Sequence, residues 1–288
     1  MEIVVKVNKL DDVYTLDNVD AYLLANRQFS YRFDESFCIN KINKVRKYAH
    51  DNNKKVYVLV NKIFKDEDLE KLEIFLLKLK KANVDGIFFT DLAVFMLAEK
   101  LQMADKCIFY HETFLRNTYD ILTYQNAGIN KIVCSKDMHL ADIALLPKDK
   151  KDTYGIICFG YIPLYESQRK ILTHYISMNK LPKSLLHTKT LSLKEHTRDD
   201  RYKVIEQEGV SSIFDSKVYS YLPYINKLQE NINMFIVDSL FFETSYIKEV
   251  VELVKLASLG NDVSEKLKAL DSTIEFTDGF LNKKIGLM

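Results

Sequence analysis

The stretch Gly155-Ile-Ile-Cys-Phe-Gly-Tyr-Ile-Pro-Leu-Tyr-Glu-Ser-Gln-Arg-Lys-Ile-Leu-Thr-His-Tyr175 decides the predicted architecture. Its apolar run, residues 156–159, is typical of a core strand that is covered on both faces. Gly160 ends the run, and a dense group of polar and aromatic side chains follows it. Because α/β folds place their chemistry at the ends of core strands, we expect part of a functional site here. The alternative is a strand that leads into an amphipathic helix with a purely structural role.

Short β-rich runs alternate with helical periodicity along most of the chain. The runs cover residues 2–7, 21–24, 55–60, 86–89, 107–110, 131–134, 155–159 and 233–237. This alternation implies right-handed βαβ units, and eight strands favour a TIM-like (β/α)8 barrel over an open doubly wound sheet. We predict an α/β protein with a single barrel domain over residues 1–288, and a basic insertion and β-hairpin at 177–216, before the last strand.

Composition excludes several classes of protein. The chain has 288 residues, 47% of them hydrophobic, and a net charge of +1, so no global charge favours nucleic acid or anionic membrane. No G-x-G-x-x-G or Walker sequence indicates a dinucleotide or P-loop enzyme. No apolar run approaches the roughly 18 residues that span a bilayer, so we expect no membrane partner and a cytoplasmic location.

The four cysteines, Cys38, Cys107, Cys134 and Cys158, are scattered without a Cys-x-x-Cys pair. They indicate reduced, mostly buried thiols rather than a disulfide framework or a zinc site, and we predict no metal. A cysteine protease would need a positioned histidine, for which His111 beside Cys158 is the available pair. Sequence alone gives no geometry for that pair.

Polar residues follow several predicted strands. Asn61, Asp91 and Glu112 each come after a β-rich run, and Asp238 ends the last one. In a barrel these side chains would point into the carboxyl-terminal mouth, so Glu112 and Asp238 are catalytic candidates and Asn61 and Asp91 substrate-binding candidates. The alternative is helix capping, which we weigh especially for Asp91 and for a further substrate-binding candidate, Asn117.

Four residues of the opening stretch are candidates for the same site. Tyr161 and Tyr175 can stack on or hydrogen-bond to a substrate, while Ser167 and Arg169 are catalytic candidates. The guanidinium of Arg169 fits a carboxylate or a phosphate with two hydrogen bonds. We therefore predict that it contacts Glu112, Asp238 or an anionic substrate.

The alternation breaks between residues 177 and 203, where lysine and arginine predominate. This segment is either a solvated loop or an arm that contacts RNA phosphates, since such contacts come from grouped Lys and Arg. Lys189, Lys194 and Arg198 are the RNA-contact candidates. Residues 202–207 and 211–214, around Glu208-Gly209, then predict a hairpin.

The opening stretch resembles the signature of the collagenase-like peptidases, the thirty-second peptidase family of unknown catalytic type. The residues that match are Gly160, Ser167, Arg169 and Tyr175, whereas Phe159 and His174 replace the family's His and Asn. Further elements resemble the family in the same order along the chain. They are Asp20-Ala-Tyr22, Phe29-Ser-Tyr-Arg-Phe33, Ala49-His50, Lys55-Val-Tyr-Val-Leu-Val-Asn61, Val84-Asp-Gly-Ile-Phe-Phe-Thr-Asp91 and the closing Gly279-Phe-Leu-Asn-Lys283.

The resemblance also bears on cofactors. In the longer family members two signature cysteines are iron–sulfur ligands, and here those positions hold Pro163 and Lys170. Clusters require thiolates, so the comparison implies that this chain has no iron–sulfur cluster and no other cofactor. Lys203, Gln207 and Val210 also replace the Pro, Asp and Gly of the family pattern.

The function follows from the resemblance. His111-Glu-Thr113, with Asn117-Thr-Tyr119 after it, is similar to the short members that are paired with tRNA wobble-uridine hydroxylation. The resemblance implies a component of wobble-uridine 5-hydroxylation, with tRNA and a longer, cysteine-bearing relative as partners. The alternatives are a peptidase, for which the chain has no H-E-x-x-H or G-x-S-x-G sequence, and a non-catalytic scaffold.

Overall fold

The computed structural model describes residues 1–197 and 199–282. The first part of the chain forms seven strands, each parallel to the next. They are β1 (Glu2–Lys6), β2 (Ala21–Ala25), β3 (Lys55–Val60), β4 (Gly86–Phe89), β5 (Cys107–Tyr110), β6 (Lys131–Cys134) and β7 (Tyr154–Gly160). Nearly every residue in them is buried, as expected for a parallel sheet that helices cover.

The segment after β7 forms a second, smaller sheet. Its strands are β8 (Pro163–Ser167), β9 (Ser192–Lys194), β10 (Arg201–Gln207) and β11 (Val210–Phe214), in the antiparallel order β8-β11-β10-β9. The predicted hairpin is confirmed as β10 and β11, whose two-residue turn has positive φ at Glu208 (51°) and Gly209 (81°), as a type I′ turn requires. The sheet includes β8, so the insertion begins at Pro163, earlier than the predicted residue 177.

The end of the chain closes the barrel. It holds β12 (Val218–Ser220), β13 (Met234–Asp238) and the short β14 (Phe276–Thr277). Strand β13 pairs in parallel with both β7 and β1, so the predicted eight-stranded TIM-like barrel is confirmed. Residues 218–228 form β12, a 3₁₀ turn (Leu222–Tyr224) and a short helix, and Val218 and Tyr219 pair with β14.

Helices surround the barrel. They are α1 (Asp12–Thr15), α2 (Ile39–Asp51), α3 (Leu69–Ala82), α4 (Leu92–Lys100), α5 (Thr118–Asn126), α6 (Leu140–Ile143), α7 (Ile171–Met178), α8 (Ile225–Leu228), α9 (Thr244–Ser258) and α10 (Ser264–Leu270). Their buried residues recur at helical spacing, as with Leu72, Leu76 and Leu79 in α3. Further 3₁₀ helices cover Asp66–Asp68, Ala104–Lys106, Lys148–Thr153 and Lys183–His187. Within the described ranges no helix combines the length and apolarity that a membrane span requires.

Candidate functional site

Charged side chains meet at the carboxyl-terminal mouth of the barrel. Lys6 ends β1, Asp238 ends β13, and Glu112 follows β5. Arg32 reaches the mouth from the connection between β2 and α2, and Glu166 from β8. We call these five residues the mouth cluster.

Arg32 is the centre of the mouth cluster. Its Nη1 and Nη2 lie 2.9 Å and 2.8 Å from the two carboxylate oxygens of Glu112, and its Nη1 lies 3.4 Å from Glu166 Oε2. Its side chain is only 10% exposed. This two-bond geometry is the strongest form of an Arg–carboxylate pair, so Arg32 fixes Glu112 in one position.

A second ion pair adjoins the first. Lys6 Nζ lies 2.5 Å from Asp238 Oδ2 and also donates to the backbone carbonyl of Arg32 at 3.0 Å. The other oxygen of Asp238 accepts from the Leu240 backbone N–H at 2.9 Å. Strands β1 and β13 and the loop of Arg32 are therefore joined by one buried lysine.

The mouth loop, residues 26–38, holds Arg32 in place. Asn61, which follows β3, accepts the Tyr31 N–H at 2.8 Å, and Ser30 Oγ donates to the Leu59 carbonyl at 2.5 Å. Arg32 itself has φ of 59°, an unusual value for a residue with a side chain. Such strain persists only where surrounding contacts fix it, so the loop is built to present this guanidinium.

The cavity beneath these groups is almost filled. Its volume is about 10 Å³, which is room for about one water, and Pro163 and Phe214 of the insertion cover it. Three carboxylates and two cations make up the mouth cluster, so its formal charge is negative. A phosphate or carboxylate substrate would find neither space nor favourable charge there.

Burial shapes the protonation of the mouth cluster. Burial would lower the pKa of Arg32, but Glu112 and Glu166 outweigh it and raise that pKa. Burial lowers the pKa of Lys6, although the carboxylate of Asp238 opposes this change. Burial raises the pKa of Glu166 and Tyr110, so the Tyr110 hydroxyl keeps its proton. Arg32 therefore stays charged, whereas burial shifts the pKa values of Lys6 and Glu166 toward neutral pH.

Gly160 is required at the edge of the mouth. It has φ of 140°, and a Cβ added to it would lie 2.7 Å from Asp238 Cβ and 2.9 Å from the Asp238 carbonyl oxygen. Only glycine allows this approach between β7 and β13. Phe159, at the position of the family's histidine, is fully buried against Phe242 and Tyr246, with ring centroids 5.2 Å and 6.2 Å away.

Three amide and carboxylate candidates have structural partners. Asp91 accepts from Ala93 N–H at 2.9 Å as the N-cap of α4, and also from Phe64 N–H at 2.8 Å. Asn117 accepts from Asp120 N–H at 3.0 Å as the N-cap of α5. The capping alternative therefore accounts for both residues, and Asn61 holds the mouth loop.

Arg169 pairs with neither of the two predicted carboxylates, while its contact with an anionic substrate stays a prediction. Glu112 pairs with Arg32 and Asp238 pairs with Lys6, whereas Arg169 is exposed and has no carboxylate partner among the described residues. Arg169 lies beyond the end of β8 and just before α7, and its side chain is exposed there. Ser167 Oγ accepts the Arg169 backbone N–H at 3.1 Å.

The remaining predicted residues lie outside the mouth. Tyr161 is half-buried and stacks on Phe242 at 5.4 Å, while Tyr175 on α7 is 59% exposed. Lys189 pairs with Asp34 at 2.5 Å and Lys194 with Asp199 at 2.8 Å. Arg198 lies outside the described residues. The structure thus brings together only Glu112 and Asp238 of the predicted catalytic set.

The thiols do not fit an iron–sulfur cluster. Cys107, Cys134 and Cys158 are buried in β5, β6 and β7, and burial raises the pKa of each to about 12. Cys38 precedes α2 on the surface. Neither Pro163 nor Lys170 supplies a thiolate. Among the described residues, no group of three or more His, Cys, Asp or Glu side chains could hold a metal ion.

The proposed pair of Cys158 and His111 does not form. Cys158 Sγ contacts the Ile236 carbonyl at 3.4 Å inside the barrel wall, whereas His111 stacks on Phe114 with ring centroids 3.9 Å apart. A buried thiol with a raised pKa is a poor nucleophile. The cysteine-protease interpretation has no geometric support.

Lys6, Arg32 and Glu166 are the members of the mouth cluster that sequence reasoning missed. Lys6 is a cation inside the apolar run of β1, which is a signal of a buried ion pair. Arg32 lies in Phe29-Ser-Tyr-Arg-Phe33, an element already noted for its family resemblance. Its role was hidden because the loop has no periodicity that would place its side chains.

Comparison with known proteins agrees with this architecture. The sequence profile of peptidase family U32 matches residues 7–279. The chain belongs to this family. A solved U32 peptidase has a TM-score of 0.52 at 10% identity over 83% of this chain and 92% of that one, which shows a shared fold.

Two relatives within the U32 family carry different names. The tRNA hydroxylation protein P2 of Bacillus subtilis is 23% identical over 268 residues, 92% of this chain and 83% of that protein. An uncharacterized protease of Methanocaldococcus jannaschii is 30% identical over 119 residues, 40% of this chain and 28% of that protein. The first alignment thus spans nearly the whole barrel, and the second only part of it.

Proposed function

We propose that this chain takes part in tRNA hydroxylation, at the wobble uridine, as a subunit without a cluster of its own. The observation that carries the proposal is the alignment with the Bacillus subtilis tRNA hydroxylation protein P2 over 92% of this chain. Tyr119 and the preceding Asn117 also belong to the element that resembles the short, hydroxylation-linked members. The chain would act on RNA rather than on a peptide bond.

The geometry of the mouth favours a supporting role in that reaction. The carboxylates of Glu112, Glu166 and Asp238 are each paired with a cation, and the cavity below them has a volume of only about 10 Å³. Redox chemistry would therefore come from a longer, cysteine-bearing relative in a hetero-complex. This chain would position the tRNA or complete that complex.

A peptidase is the second proposal, supported by the family and by the Methanocaldococcus jannaschii relative. Hydrolysis would require an activated nucleophile or a metal-bound water. Ser167 Oγ accepts a backbone N–H and contacts no histidine within the described part of the chain. The local geometry thus favours RNA modification over peptide hydrolysis.

Mass analysis of tRNA nucleosides from cells with and without the gene tests the leading proposal. We expect loss of 5-hydroxyuridine-derived nucleosides in the deletion strain. Both the wild-type gene and a Ser167→Ala variant should restore them, since Ser167 has no role in this scheme. Unchanged nucleosides would contradict the proposal. If the purified protein cleaves casein and Ser167→Ala abolishes this cleavage, the peptidase proposal is established instead.

A further inference from the structure

A second cavity opens beside the mouth, at the rim of the barrel. Its volume is about 390 Å³, within the range of small-ligand pockets. The loops after β1 and β13, the insertion and Asp34 of the mouth loop line it. We call it the Lys203 pocket, and its lining includes Asn8, Lys9, Asp34, Lys189, Lys203 and Phe241.

The half-buried Lys203 has no hydrogen-bond partner for its ammonium among the described residues, whereas the half-buried Lys54 and Lys62 donate to backbone carbonyls. The Lys203 Nζ lies 5.0 Å from the ring centroid of Tyr161 and 5.2 Å from that of Phe241. No carboxylate pairs with it in residues 1–197 and 199–282, whereas Lys6 and Lys189 each have one. Burial lowers its pKa. Because burying a charge without a counter-ion is unfavourable, a half-buried ammonium of this kind would be stabilised by a bound anion.

Phe241 supports this arrangement with a strained backbone. Its φ is 77°, a left-handed value that residues with a side chain rarely adopt. Edge-to-face contacts with Phe214 at 4.9 Å and Tyr161 at 5.6 Å hold its ring. The strain places an aromatic face under the Lys203 ammonium. Residues in this state are characteristic of ligand sites.

The position and charge of the pocket indicate the ligand. Three lysines face two carboxylates, Asp34 and Glu243, and Asp34 is already paired with Lys189 at 2.5 Å. Part of the wall comes from the insertion after the seventh barrel strand and the loop after the eighth, where TIM barrels frequently bind phosphate, and the rest follows the first and second strands. An anion that enters the pocket meets Lys203 and Lys9.

We infer that the Lys203 pocket binds a phosphate group, and that this phosphate belongs to the tRNA backbone. The second half of the inference rests on the proposed function. The mouth cluster is negative and closed, so the phosphates of an RNA must be held beside it rather than in it. The Lys203 pocket supplies that contact between the barrel and the basic insertion.

The test measures binding of a tRNA transcript to the purified full chain at several salt concentrations. Lys203→Gln should weaken binding several-fold and reduce the slope of log affinity against log salt by roughly 0.7–0.9, the loss of one phosphate contact. Lys203→Arg should retain the slope. The matched control is Lys44→Gln, which removes another lysine over a tyrosine ring, 6.0 Å away, on the outer helix α2.

Melting temperatures check that the variants are folded. Should Lys203→Gln melt early, Lys9→Gln, an exposed change in the same pocket, carries the same test. Lys203→Gln could leave tRNA binding unchanged but weaken the binding of inorganic phosphate or uridine monophosphate. The ligand of the pocket would then be a free phosphate or phosphate ester, and the RNA half of the inference would be wrong. No effect of Lys203→Gln on any of these probes would overturn the pocket as a phosphate site.

Failure of the inference and failure of the proposed function are distinguishable. Unchanged tRNA nucleosides in the deletion strain, together with Lys203-dependent RNA binding, would remove the hydroxylation role and leave the phosphate site. If the deletion strain loses these nucleosides but RNA binding does not depend on Lys203, the hydroxylation role stands and the phosphate site is wrong.

Discussion

The barrel mouth and the insertion above it use charge in opposite ways. In the mouth, Arg32 and Lys6 are buried, and each forms an ion pair with a carboxylate. Lys6 also donates a hydrogen bond to the backbone carbonyl of Arg32. In the insertion, Arg169 is exposed without a carboxylate partner among the described residues, and Lys203 meets only aromatic rings. The carboxyl ends of barrel strands usually carry the chemistry of this fold. Here the charged side chains at those ends are paired with one another.

The largest expected difference between the two regions is that between their arginines. Arg32→Met should destabilise the protein by about 3–5 kcal/mol, because it leaves Glu112 buried without its cation. Arg169→Met should change stability by no more than about 0.5 kcal/mol, as for other exposed positions. Urea unfolding of both variants gives the two free energies.

The arginine pair also tests the assignment of roles. Equal destabilisation by the two substitutions would break the distinction between mouth and insertion. Arg32→Lys sharpens it, since lysine keeps the charge but loses the two-bond geometry, and its stability should fall between wild type and Arg32→Met.

A smaller difference is expected between two glycines. Gly160→Ala should cost about 1–3 kcal/mol from backbone strain, with further loss because the new Cβ meets Asp238 at 2.7 Å. Gly209→Ala should cost about 1–2 kcal/mol, because its left-handed turn is strained but its nearest neighbour is the flexible end of Lys170, 3.4 Å away. Thermal melting ranks the two, and a larger loss for Gly209→Ala would contradict the tight approach at the mouth.

The smallest expected effect is a pH dependence at the rim of the mouth. Burial lowers the pKa of His111 from 6.5, Glu112 opposes this shift, and Arg32 adds to it. The unfolded chain therefore binds the proton more readily than the folded one. The contribution of His111 to stability is full above pH about 6.5 and declines as pH falls through the lowered value.

Urea unfolding at several pH values, with wild type and His111→Gln in parallel, isolates this contribution because the other titrating groups cancel. The difference between the two proteins should change between neutral and mildly acidic pH, with wild type losing more stability. If the difference in unfolding free energy between the two proteins stays constant with pH, the pKa of His111 is not shifted by its surroundings at the mouth.

The barrel was predictable because its strands are continuous apolar runs. Strands β3, β4, β5 and β6 have the predicted bounds, since a strand buried on both faces needs apolar residues throughout its length. The insertion was harder. Strand β8 has a largely exposed pattern and gains its structure from pairing with β11, a partner distant in sequence. Only the turn at Glu208-Gly209 gave a local signal there.

The sequence predicted only those site residues that lie at or just after the end of a barrel strand. Glu112 and Asp238 reach the mouth because they follow or end β5 and β13. Arg169 was assigned to the mouth because it follows a core strand and its guanidinium fits a carboxylate, but Arg32 and Lys6 are the cations that pair with Glu112 and Asp238. A loop arginine with φ of 59° is placed by tertiary contacts, and sequence periodicity carries no information on them.

The ion pair between Lys6 and Asp238 joins the first barrel strand to the last, so it forms late during synthesis of the chain. Strand β1 leaves the ribosome early, but β13, which pairs with it and neutralises Lys6, is more than 200 residues later in the chain. Until then β1 and β7 each have an open edge, and the insertion must be accommodated between β7 and β13. Such long-range closure slows folding and exposes strand edges to other chains. Closure of the barrel is therefore a late step in folding, in which the last barrel strand brings the counter-ion for the first.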